Sequence, residues 1–152
     1  MRTRAMQALD AKSVPYELLE FEAETFTAVE AAERLRLPPA QIFKTLVVRA
    51  DDDKIILACV PADHELNLRA LARAAGVKRV EMVDVGDLMR LVGYVKGAVS
   101  PVGTRRTYPT YIDRSALEHS KISVSAGGRG LQLWIDPREL IRATNALVEP
   151  IT

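Results

Sequence analysis

The chain has 152 residues, of which 48% are hydrophobic and 27% charged, with 21 basic and 20 acidic side chains for a net charge of +1. That length suits a single domain, residues 1–152, with a real core, and the charge balance argues against tight, nonspecific binding along a nucleic-acid backbone, which needs clustered Lys and Arg. One cysteine, two histidines and no apolar run near the roughly 20 residues of a membrane span exclude an internal disulfide, a recognisable zinc framework and membrane insertion.

The N-terminal stretch MRTRAMQALDAK has Ala5, Met6 and Leu9 at helical spacing and lacks the unbroken apolar run of a secretory signal, so an opening helix and a cytoplasmic protein are expected. Pro15 and YELLEF read as a strand. Thr27-Ala-Val-Glu30 is a capping-box pattern, followed by Val29, Ala32 and Leu35 as the apolar stripe of a helix that Pro38 and Pro39 close. The segment QIFKTLVVRADDDKIILACVP, residues 41–61, reads as a β-hairpin about an Asp51–Asp53 turn. Asn67 caps a helix that stops at Gly76, residues 79–83 alternate like a short strand, and 84–91 form a short helix ended by Gly93. Gly97, Pro101 and Gly103 mark the following segment as irregular. Residues 121–125 and 131–135 are strands around Ala126-Gly-Gly-Arg-Gly130, and Asp136-Pro-Arg-Glu139 starts a final helix. Short strands mixed with short helices favour an α+β domain with a closed or strongly curled sheet.

Lys44 is the anomaly of the hairpin. At period two it shares a face with Ile42, Leu46 and Val48, while Phe43, Thr45 and Val47 take the other. If the first face looks inward, the ammonium needs a partner, an anionic ligand or a shifted pKa; otherwise it lies at the strand entrance and reaches water. Lys96, Arg105 and Arg106, and Lys121 and Arg129, could form a local basic mouth or simply a solvated face. His64 and His119 sit beside no nucleophile motif, and Cys59 lies in an apolar strand where a thiol acts as a small hydrophobe. The glycine turn at 125–130 could offer backbone N–H groups to an oxygen but has no phosphate-loop Lys-Ser/Thr pair, and by itself is a hairpin turn.

In order, Phe43-Lys-Thr45, Gly97-Ala-Val-Ser-Pro101 and Ser125-Ala-Gly-Gly-Arg-Gly-Leu131 resemble the YbaK/EbsC family, free-standing relatives of the editing domain inserted in bacterial prolyl-tRNA synthetases. The likeness runs through LPPAQIFKTLVV, VKRVEMVD, GYVKGAVSPVG, PTYID and ISVSAGGRGLQL. It implies a mixed, mostly antiparallel β-barrel flanked by short helices, and release of a mischarged amino acid from tRNA without cofactor or metal. The resemblance places the catalytic lysine on Lys44 and the catalytic glycine loop on Gly97. It assigns substrate contacts to Thr45, Ser100, Pro101, Ser125, Gly127 and Gly128, and to the pocket aromatics Phe21 and Phe26. The cysteinyl-tRNA-specific branch has a tyrosine where this chain has Phe21, and an acid where it has Gln132, which puts the accepted amino acid in question.

The implied partners are the acceptor end of a mischarged tRNA and prolyl-tRNA synthetase, which would deliver a tRNA that near-zero charge binds only modestly. The resemblance implies removal of Cys or Ala from tRNA-Pro. Placement, oxyanion stabilisation and a nucleophile from substrate or water could break the already activated ester. A competing reading is a module that binds aminoacyl-tRNA or a synthetase without turnover; a third makes Lys44 a Schiff-base amine.

Overall fold

The computed structural model describes residues 2–152. Its helices and strands run α1 (Arg4–Ala11), β1 (Glu17–Glu20), α2 (Ala28–Leu35), β2 (Phe43–Ala50), β3 (Ile55–Pro61), α3 (Leu68–Ala75), β4 (Val80–Met82), α4 (Leu88–Val92), β5 (Thr110–Asp113), β6 (Ile122–Ser125), β7 (Leu131–Ile135), α5 (Pro137–Thr144) and β8 (Leu147–Glu149). Helices begin where a side-chain oxygen can take an orphan N–H of the first turn. Thr27 accepts from the N–H of Glu30, Asn67 from that of Ala70, and Asp136 from that of Arg138. The helix expected at 84–91 divides into a 3-10 turn, Val85–Asp87, and α4.

The strands form two sheets, β1-β7-β6 and β4-β2-β3-β5-β8. Four of the six ladders are antiparallel, and the β3-β5 and β5-β8 ladders are parallel. The fold is therefore α+β, with sheets mixed and mostly antiparallel. The expected closed barrel is not found among the described residues, and β2 shows where closure stops. One edge of β2 pairs along its length with β3. The other edge is divided: Ile42, just before the strand, makes a single parallel bridge to Ser123 of β6, and Val48, Arg49 and Ala50 pair with β4. From Phe43 to Leu46 this edge has no strand partner among the described residues.

The hairpin is covered on both faces, which explains the unbroken apolar run of β3, whose seven residues are all buried. Val48, Ile56, Ala58 and Val60 lie in one cluster with Leu71 and Ala72 of α3. Phe43 and Cys59 join Met6, Leu9, Ile122, Leu133, Ile135 and Leu140 in a second, built against α1, α5 and the smaller sheet. A fully buried leucine such as Leu71 contributes about 1.5–3 kcal/mol relative to exposure.

Two expectations fail locally. The buried residues of α2 are Glu30, Ala31 and Ala32, while Val29 is 48% exposed. Strands β5 and β8 are absent from the sequence reading: Pro109 and the broken 97–103 segment disguise the first, and the second is too short to show alternation.

Candidate active site

The unpartnered edge of β2 opens on a cavity of about 520 Å³, within the usual range for small-molecule sites. Residues 42–47 form one wall, and the segment from Phe21 into the start of α2 forms another. The Lys96–Gly97 loop and Ser125 and Gln132 close the interior, while Val29, Met82 and Val85, all exposed, stand around the mouth. Of the residues singled out in the sequence, Lys44, Thr45, Phe21, Phe26, Gly97, Ser125 and Gln132 are brought together here. Ser100, Pro101, Gly127 and Gly128 are outside the lining. Ser100 and Pro101 are buried within their loop, where the Ser100 hydroxyl accepts from the Val102 N–H at 3.3 Å.

The more deeply buried face of the first half of β2 is Phe43, Thr45 and Val47; Lys44 and Leu46 are half-buried. Lys44 thus enters the cavity at the open end of its face rather than the core. Its stem is sheltered, and none of the ion pairs among the described residues includes it. A partly desolvated ammonium with three donors and no carboxylate is suited to oxygen atoms of an incoming ligand. The cavity's other charged lining groups are Lys96 and Glu65, and its described lining contains neither histidine nor cysteine.

Thr45 is buried, its hydroxyl 3.6 Å from the Cys59 sulfur. Burial pushes the Cys59 thiol up to about 12 despite that hydrogen bond, which leaves almost no thiolate at neutral pH. Cys59→Ala should therefore keep deacylation within a few-fold and lose about 1 kcal/mol of stability for the smaller side chain. Loss of turnover in a folded Cys59→Ala protein, shown by its circular dichroism, would restore a covalent role for the thiol.

Phe26 is held by three segments. Its backbone is left-handed, φ 60°, an uncommon state for a large side chain. Its N–H and that of Thr25 donate to one oxygen of Glu30 at 2.9 and 3.0 Å, and the Glu24 N–H donates to the other at 2.9 Å. The capping box is thus only half realised: Thr27 caps Glu30, but the carboxylate gathers the three N–H groups before the cap. Arg129 stacks on the Phe26 ring, 4.5 Å from guanidinium carbon to centroid, and donates from Nε to the Lys96 carbonyl at 3.2 Å. A Cβ on Gly97, itself at φ 85°, would fall 2.5 Å from Phe26 Cβ and 3.0 Å from its carbonyl oxygen. Close approach at Gly97 is therefore used by Phe26, where the sequence suggested a substrate oxygen.

The Glu24 N–H chiefly, with those of Phe26 and Thr25, lowers the Glu30 pKa against the opposing effect of burial. A depressed carboxylate contributes stability that is present above its unfolded pKa, about 4.3, and is lost as pH falls through the lower folded value. Amide exchange at Thr25 and Phe26 should accordingly quicken in that acid window. In Glu30→Gln it should be fast already at neutral pH, with KM raised. Unchanged exchange in Glu30→Gln would remove the carboxylate as the fastening.

Ser125 ends β6 opposite Gln132 of β7. Its hydroxyl accepts the Gly127 N–H at 3.1 Å, so that N–H is engaged inside the turn. A Cβ on Gly127 would meet the Tyr94 ring at 2.7 Å, and one on Gly128 would meet the Leu131 side chain at 2.9 Å, so these glycines serve packing of the turn. Gln132 is buried, its carbonyl oxygen accepting from the Ser123 hydroxyl at 2.7 Å. His64 pairs with Asp63 and lies, like His119, outside the lining. No lining serine or threonine therefore has a histidine base beside it. Glu30 and the apolar mouth are the parts the sequence reading missed as site elements; Arg129, named there only as part of a basic mouth, stacks on Phe26. Thr27-x-x-Glu30 signalled the first, though only as a helix cap.

A lysine that enters no ion pair among the described residues, in a cavity beside a split sheet edge whose described lining has no histidine or cysteine, is an arrangement suited to binding an oxygen-rich ligand. A solved structure described as a "putative trans-editing enzyme for prolyl tRNA synthetase" has this fold, with a TM-score of 0.89 and 27% identity over 98% of this chain and 94% of that one. The Enterococcus faecalis protein named "Putative Cys-tRNA(Pro)/Cys-tRNA(Cys) deacylase EbsC" is 37% identical over 99% of this chain and 93% of its own length. A proline–tRNA ligase of Acidithiobacillus ferrooxidans is 31% identical over 72% of this chain, which corresponds to 19% of the ligase. Residues 22–143 match the aminoacyl-tRNA editing domain. The chain belongs to that family, whose activity is aminoacyl-tRNA deacylation.

Proposed function

We propose that the chain edits in trans, removing a small mischarged amino acid, Cys or Ala, from tRNA-Pro. The observation that carries the reading is Lys44: a half-buried ammonium without a carboxylate partner among the described residues, in a cavity of about 520 Å³ whose described lining has no histidine or cysteine. In this reading Lys44 holds phosphate or ribose oxygens of the terminal nucleotide. Phe21 and Phe26 bound the space for the amino acid, and Ser125 and Gln132 supply polar contacts at its floor. Size selection by such walls is modest, because one methylene is worth about 1–3 kcal/mol; it rejects large side chains better than it separates small ones. The ester is already activated, so placement and polar stabilisation supply much of the acceleration.

The nucleophile then comes from outside the protein. A cysteinyl substrate can attack its own carbonyl carbon through sulfur: the C–S bond forms, the ester C–O bond breaks, and the thiol proton ends on the departing ribose oxygen. Water attack instead gives free amino acid. The thiol route is chemically favoured for Cys, because a thiol near pKa 8.5 provides some thiolate at neutral pH and an alcohol almost none. Gln132 brings no negative charge to the floor, unlike the acid of the cysteinyl branch, and is compatible with water attack on alanyl esters. A role in translation fits a cytoplasmic protein supplied with substrate by prolyl-tRNA synthetase.

Purified aminoacyl-tRNAs, followed by mass analysis of the earliest product, test the reading. Cyclic thioester from cysteinyl-tRNA, with little release from seryl-tRNA, is the outcome for thiol attack. Free alanine and serine from the start mark water attack. Binding of all esters without release would leave only the non-catalytic module.

A further inference from the structure

The near-zero net charge conceals a segregation of charge. Residues 2–9, 93–109 and 119–135 contain no Asp or Glu, and the fold brings parts of all three to one side of the cavity. A Cβ on Gly93 would lie 2.5 Å from Arg4 Nη1 and 3.0 Å from Arg105 Cγ, and one on Gly103 would lie 2.5 Å from the Arg4 carbonyl oxygen. The Thr3 hydroxyl donates to the Ala126 carbonyl at 2.5 Å, which ties the start of α1 to the glycine turn. Arg129 of that turn donates to the Lys96 carbonyl. Arg4, Lys96, Arg105, Arg106 and Arg129 are all exposed. None of them enters an ion pair among the described residues. The +1 total less these five positive charges leaves a net −4 for the rest of the chain.

We infer that this face, made by the N-terminus of α1, the 93–106 loop and the 126–130 turn, seats the phosphate backbone of the duplex stem behind a tRNA's charged end. The inference rests on the deacylase reading for the identity of the nucleic acid. Its geometry is independent of it: the face reaches the cavity through Lys96, which lines it, and Arg129, which stacks on Phe26. A ligand that enters the cavity by its end must lay its body over the adjoining surface, and an RNA body presents a row of phosphates. Exposed arginines that enter no ion pair among the described residues are groups suited to bind such a row and release its counterions. The modest unaided affinity expected from total charge therefore understates the local attraction.

The test uses Arg105→Gln/Arg106→Gln and, separately, Arg4→Gln, none of which lines the cavity. Affinity for uncharged tRNA and its dependence on salt read the face without any chemistry. Turnover is compared on full-length aminoacyl-tRNA and on the same amino acid esterified to a CCA trinucleotide. The double variant should bind tRNA at least about tenfold more weakly at low salt, with a log–log salt slope flatter by about one for each phosphate no longer neutralised. It should keep wild-type turnover of the trinucleotide ester, and Arg4→Gln should shift in the same direction. Wild-type tRNA affinity and salt slope in all variants would overturn the inference. So would an equal loss on both esters, which would assign the arginines to the cavity, or a loss seen only with prolyl-tRNA synthetase present, which would assign the face to a protein. A wild-type protein that binds tRNA through these residues yet releases no amino acid from either ester would sink the deacylase reading and leave the face standing.

Discussion

Lys44→Ala should lower the rate of deacylation by at least about 100-fold, the scale for losing one donor to developing charge, and leave the melting temperature nearly unchanged. The structure explains the combination. Lys44 stands at the open end of a strand face whose packing begins at Leu46 and Val48, so its ammonium supports no part of the core. Nor does it complete any ion pair found among the described residues. Removing it strands no carboxylate. Lys44→Arg should fail almost as badly: a planar fork with five donors does not fit where a compact, three-donor ammonium reaches past half-buried walls. Single-turnover rates, with circular dichroism to establish folding, decide the matter. Near-normal turnover by Lys44→Ala would move the reacting centre elsewhere in the cavity.

Gly97→Ala should reduce turnover by about tenfold or more, through Phe26 rather than through the substrate. The new Cβ meets Phe26 Cβ at 2.5 Å, a separation real atoms do not tolerate, and φ 85° adds a strain of about 1–2 kcal/mol. Phe26 must move, and with it the hydrogen bonds to Glu30 and the stack under Arg129. A double-mutant cycle separates this account from a direct clash with substrate. Phe26→Gly removes the obstructing Cβ and suits the left-handed backbone, so Gly97→Ala should do little further harm in that background. Losses that simply add would show that Gly97 and Phe26 touch the substrate independently.

Much of the fold was legible because local chemistry and tertiary structure agree. Thr27, Asn67 and Asp136 cap the helices they were read to cap, and the 41–61 hairpin has the expected strands and turn. What escaped was non-local. Strand β5 pairs in parallel on the edge of β3, and β8 in turn on the far edge of β5, and nothing within three or four residues announces such an edge. Lys44 was visible as a cation in an apolar strand, but its sheltered position depends on the 21–29 segment crossing the cavity. The Glu30 carboxylate looked like a cap residue; its hold on Phe26 depends on the chain turning back before α2. Ser100, Pro101, Gly127 and Gly128 were grouped with the cavity by motif, and the structure places them just behind its walls.

The stretch from Phe43 to Leu46, without a strand partner on its outer edge among the described residues, also bears on edge-to-edge aggregation. A bare strand edge is a template on which another chain can zip itself, and long flat edges are common seeds of aggregation. Here the vacancy is short and guarded at both ends, by the Ile42–Ser123 bridge and by the ladder to β4 that begins at Val48. A visiting strand would meet those neighbours before it gained more than a few hydrogen bonds, and it would have to cover Lys44. The same framing that leaves room for a compact ligand thus denies room to a peptide.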